Sequence, residues 1–159
     1  MNAIEKQHDQ SFVLTYPDER LLKPSAPVQQ FHDDTAKEAL ILQHVLEELK
    51  TSGLSAPQIN IHKRIMVLRR CGKIYHLVNP VIAWSHGSKL FNETCLCFPG
   101  KLFTVERQVE VVVDALDLNG EETSFLFDGE LARLVQHHID HLNGVLINTH
   151  RELASHEAA

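Results

Sequence analysis

Asp128-Gly129-Glu130-Leu131-Ala132-Arg133-Leu134-Val135-Gln136-His137-His138-Ile139-Asp140-His141-Leu142-Asn143-Gly144 reads as a helix with both ends marked. Asp128 can cap the start from about 129, and Gly144 supplies the residue that stops a helix after about 142. Leu131, Leu134, Val135 and Ile139 can form a core-facing stripe. His137 and His141 lie together on a neighbouring stripe, four residues apart, so both imidazoles can converge on one ion. The usual motif of this spacing is His-Glu-x-x-His, and its second position is His138 here. The pentad therefore offers two metal donors without the customary carboxylate acid/base.

Working outward, alternating Val residues predict a strand over 104–118, and Asn119-Gly120 predicts a hairpin turn into a strand over 122–127. Further strands are expected over 80–84 and 88–97, and Arg64 to Arg70 and Lys73 to Val78 form a hairpin about Cys71-Gly72, ended by Asn79-Pro80. A helix is expected over about 35–50. Thr35 and Glu38 have capping-box spacing, and Ala36, Ala39, Leu40, Leu42, Val45, Leu46 and Leu49 give the apolar stripe. Gly53 to Gln58 reads as a loop, Pro17 to Arg20 as a turn, and Ser11 to Thr15 as a short apolar run. The order is helix, antiparallel strands, helix: an α+β fold in which the strands pack around the C-terminal metal-binding helix.

At 159 residues the chain fits a single domain, 1–159, without repeats. Hydrophobic residues make up 43% and charged residues 23%, which excludes a disordered tail. A formal charge of −6 with 15 scattered Lys and Arg gives no reason to expect nucleic acid. No signal peptide is evident at the N-terminus and no apolar run reaches membrane-spanning length, so the expectation is a cytoplasmic protein that does not bind a membrane. Three cysteines, Cys71, Cys95 and Cys97, are an odd set that argues against a disulfide framework and leaves thiolate ligation open. The short polar stretch from Arg151 to Ala159 offers no clear interface, and the oligomeric state is not assigned.

Two histidines do not complete a divalent-ion site, which takes a third protein donor from elsewhere. Cys95 is the best candidate. If Glu93 to Cys97 is a strand, alternation sends Cys95 and Cys97 to one face and Leu96 to the other. Free cysteines are also common as small buried hydrophobes, the reading kept for Cys97.

Three segments now resemble a family. Gly53-Leu54-Ser55-Ala56-Pro57-Gln58, Glu93-Thr94-Cys95-Leu96-Cys97 and Gln136-His137-His138-Ile139-Asp140-His141 follow, in order, the peptide deformylase motifs commonly written G-x-G-L-A-A-x-Q, E-G-C-L-S and Q-H-E-x-D-H. Pro17-Asp18-x-Arg20-Leu21, Asn79-Pro80, Val105-x-Arg107 and His141-Leu142-x-Gly144 extend the resemblance to about 12–148. It implies a small α+β fold whose ligands are Cys95, His137 and His141. The metal it implies is iron(II) or zinc(II), with nickel or cobalt also compatible. The substrate implied is an N-formylated peptide or related formylated amine, hydrolysed by metal-bound water. Gln58 and the Leu96 backbone N–H correspond to the oxyanion donors. Gly53, Leu54, Glu93 and Glu130 fall at substrate-contacting positions.

Departures accompany the matches. Thr51, Thr94 and Cys97 replace two glycines and a serine of the motifs, and Glu130 stands where many members carry an apolar residue. Glu130 either faces solvent or pairs with Arg133. At position 138 the family glutamate accepts a proton and becomes neutral, whereas an imidazole doing so becomes a cation beside a dication. Three readings follow. The first is a divergent formyl hydrolase, the second a binding module without turnover, and the third a closed Cys-His₃ structural site that includes His138.

Overall fold

A computed structural model of the chain describes residues 12–153; Ser11 and the end of the polar tail, 154–159, lie outside the described residues. Two helices, α1 (Asp33–Glu48) and α2 (Gly129–Leu142), flank an antiparallel sheet. Its strands are β1 (Gly53–Ser55), β2 (Ile65–Arg70), β3 (Lys73–Glu93), β4 (Phe103–Leu116), β5 (Glu122–Asp128) and β6 (Arg151–Glu152). The spatial order is β1-β2-β3-β4-β5, with β6 pairing β4, and the long sheet curls around α2. No helix among the described residues is long and apolar enough to cross a membrane.

Strand β2 explains the layering. Ile65, Met66, Val67 and Leu68 are all buried, because the strand has a helix on each face. Met66 and Leu68 pack with Ala132, Val135, Ile139 and Leu142 of α2, whereas Ile65 and Val67 join Ala39, Leu42 and Leu46 of α1. Alternation thus divides one apolar run between two cores. A third cluster, with Val13, Leu21, Phe98, Phe103 and Leu146, surrounds the two buried cysteines.

Several sequence expectations are corrected. The α1 N-cap is His32, without a side-chain cap bond; Thr35 lies inside the helix and Glu38 bonds Lys63 at 2.8 and 2.9 Å. Leu40 is exposed, so the buried stripe is Thr35, Ala39, Leu42 and Leu46. Gly53 to Ser55 is a strand rather than loop, and Ala56–Ile59 is a 3₁₀ helix. Pairing with β2 does end at Val78, but β3 continues past Asn79-Pro80 after a register shift and takes β4 as its partner. Asn119-Gly120 lies in a wider turn organised by Asp117, whose carboxylate accepts from the Asn119 and Glu121 backbone N–H groups. The α2 limits are as expected, although the Asp128 side chain makes no cap bond.

Candidate metal centre and cleft

Helix α2 presses its apolar stripe into the sheet and carries His137, His138 and His141 into the interior, each less than 7% exposed. Opposite them, β3 stops at Glu93. The Phe98 N–H donates to the Cys95 carbonyl at 2.9 Å, so Cys95 to Phe98 form a turn rather than the expected strand. Both Cys95 and Cys97 are nevertheless buried, through that turn instead of strand alternation.

The ligand atoms of Cys95, His137 and His141 lie within 4.8 Å of one another. Cys95 Sγ is 3.3 Å from His141 Nε2. His137 Nδ1 lies 3.3 Å from Glu93 Oε1, which leaves its Nε2 for the centre. One thiolate and two imidazoles with room for a fourth donor suit a divalent ion such as iron(II) or zinc(II), so the residues present fit a metal. His138 is not part of this cluster among the described residues; its Nδ1 lies 3.0 Å from Ser55 Oγ.

A buried ion network braces the centre. Arg107 donates from Nε and NH2 to the two Glu93 carboxylate oxygens at 3.1 and 3.0 Å, and from NH1 to Asp140 Oδ2 at 2.6 Å. Burial alone would raise the Glu93 pKa, but bonds from His137 and Arg107 outweigh it and hold the carboxyl at about 2. Glu93 is therefore charged and orients the His137 ring. Glu93 also borders the cleft described below. The Leu54 side chain is fully buried in the α1 core. Sequence reasoning gave Arg107 no role. An arginine inside a strand of alternating valines was the available signal, since a buried guanidinium needs carboxylate partners.

The centre opens into a cleft of about 740 Å³ bordered by Gly53, Gln58, Leu96, His138, Glu130 and Arg133. Glu130 pairs with Arg133 through both carboxylate oxygens, the second of the two expectations for it. Strand β1 is at the sheet edge, and Ser52 carbonyl accepts from the Arg69 N–H at 2.7 Å. Strand alternation then turns the Gly53 N–H and C=O away from β2, toward the open edge. Gly53 does not end α1; Lys50, at φ 52°, does. A methyl at Gly53 would overlap Nε2 and Cδ2 of His138.

Gln58 is buried, accepts from Ser55 N and Oγ, and donates from Nε2 to Cys97 Sγ at 3.6 Å. One amide proton remains for another acceptor. Bonding to Cys97, together with burial, raises the Cys95 thiol pKa, while the same bond lowers that of Cys97. Burial, reinforced by the neighbouring His137 and His141, holds His138 well below the usual histidine value.

The sequence and the fold both have relatives among known proteins. The family model described as polypeptide deformylase matches residues 11–156. A peptide deformylase of Polynucleobacter necessarius is 38% identical over 136 residues, covering 83% of this chain and 80% of that one. A peptide deformylase of Neisseria meningitidis serogroup C is 36% identical over 139 residues, covering 84% and 82%. The crystal structure of a peptide deformylase from Legionella pneumophila superposes with a TM-score of 0.85 at 36% identity, over 91% of this chain and 86% of that one. With its curled sheet, its Cys-His-His cluster and these relatives, the chain belongs to the polypeptide deformylase family.

Proposed function

We propose that the chain is a divergent deformylase that removes a formyl group from an N-formylated peptide or related formylated amine in the cytoplasm, using iron(II) or zinc(II) held by Cys95, His137 and His141. The observation that carries this reading is the convergence of those three donors on a cleft bordered by Gly53, Gln58, Leu96 and His138. When bound, the ion would activate water and polarise the formyl oxygen. The extended substrate backbone pairs with the Gly53 N–H and C=O at the free edge of β1. The remaining Gln58 amide proton and the Leu96 N–H receive the oxygen as it gains charge. His138 accepts the proton of the attacking water at Nε2 and returns it to the departing amine.

A binding role without turnover is the second reading. It is favoured by the burial of His138, which opposes the protonation that the step requires. The closed Cys-His₃ site has less support, because among the described residues the cluster of converging ligand atoms contains Cys95, His137 and His141 without His138. Anaerobic purification with metal analysis, followed by formate-release assays of wild type and His138→Glu on a panel of formylated substrates, separates the first two readings. The hydrolase reading expects turnover by wild type and a gain of about 10²-fold for the glutamate variant. Full metal occupancy and tight ligand binding without formate from any substrate would establish the second reading instead.

A further inference from the structure

Ser55 is fully buried between Gln58 and His138, and its bonds determine where the protons around it sit. The Ser55 backbone N–H donates to Gln58 Oε1 at 2.9 Å, which identifies that atom as the amide oxygen. Ser55 Oγ is 3.0 Å from the same oxygen. A carbonyl oxygen has no proton to give, so the hydroxyl donates there. A hydroxyl has one proton, and it is now used. Toward His138 Nδ1, 3.0 Å away, Ser55 Oγ can only accept. Nδ1 therefore carries a proton whether the ring is neutral or charged. In the neutral ring Nε2 is bare, and it lies beside Gly53, where the absent side chain leaves room for the ring edge. No hydrogen bond to Nε2 is formed among the described residues.

We propose that Ser55 is a positioning residue that locks His138 in the Nδ1–H tautomer and presents Nε2 as the acceptor at the cleft. The catalytic use of that acceptor rests on the hydrolase reading, whereas the tautomer itself does not. The logic is that of a histidine whose reactive nitrogen is set by the bond made at the other. It also gives the buried serine hydroxyl a task at a position where the family motif carries alanine.

The test uses the full zinc-loaded chain with ¹⁵N-labelled histidine, and long-range ¹H–¹⁵N correlation spectra report which ring nitrogen carries the proton. Wild type is expected to show His138 as Nδ1–H, and Ser55→Ala is expected to populate the Nε2–H form. An unchanged tautomer in Ser55→Ala overturns the proposal. Alanine is the residue of the family motif at this position, and the Ser55 backbone N–H still holds Gln58 Oε1 after the hydroxyl's own bond to it is lost.

Formate release supplies an independent arm. Ser55→Ala should lower kcat by about 10- to 100-fold with KM little changed, and should have little effect when introduced beside His138→Glu. Equal losses in both backgrounds would assign Ser55 a merely structural role and overturn the proposal. If wild type releases no formate, the hydrolase reading fails, and the spectra still decide the role of Ser55.

Discussion

Two cysteines two residues apart are both buried, yet only Cys95 places its sulfur beside both histidines. Cys97 instead receives the Gln58 amide. Cys95→Ala should therefore lose bound metal, whereas Cys97→Ala should retain it; metal analysis of the purified variants gives the answer, and the reverse pattern would refute the ligand assignment. Gly53 faces a different constraint. A methyl there overlaps the His138 ring, so Gly53→Ala must push the imidazole aside. Misplacing a reacting group by about 1 Å can cost roughly 10²-fold in rate. Formate release should fall by that order while metal content is unchanged, and a variant of normal activity would show that the ring position is not critical.

Helix α2 owes its sharp end to Gly144, at φ 73°, where the Gly144 and Val145 N–H groups bond back to the His141 and Asp140 carbonyls. A side chain there would strike the Leu22 carbonyl. Gly144→Ala should destabilise the fold by about 2 kcal/mol or more, read by denaturant titration, because it combines left-handed strain with a backbone collision. This ending was legible in the sequence, since glycine after a periodic segment is a local signal. The start of α1 was not. Thr35 and Glu38 have capping-box spacing, but Glu38 is drawn to Lys63, twenty-five residues on. Strand β1 was equally hidden, because what makes Gly53 to Ser55 extended is pairing with Leu68, Val67 and Met66. The cluster of Cys95, His137 and His141 could be named from motif and spacing. The turn that brings Cys95 inward, and the Arg107 network behind Glu93, depend on contacts between distant segments and leave no periodic trace.

Across the molecule, Arg107 ties β3, β4 and α2 together through Glu93 and Asp140. The Glu93 pKa is lowered from 4.5 to about 2 on folding. A depressed carboxyl contributes stability above its unfolded value, and the contribution disappears as pH falls through the folded one. In metal-free protein, the stability advantage of wild type over Glu93→Gln, about 3 kcal/mol near neutrality, should shrink as pH is lowered from about 5 to about 2. Denaturation midpoints measured across that range test it; a gap independent of pH would mean that the Glu93 charge contributes nothing. Cys95 follows β3, whereas His137 and His141 come only after β4 and β5 have been laid down. No partial chain ending before α2 can assemble the three donors, so ion capture waits for α2 to dock. In a refolding experiment, the rate of metal uptake should rise with metal concentration and then level off at the rate of that docking step. Folding would then set the pace at which the protein matures, however abundant the ion.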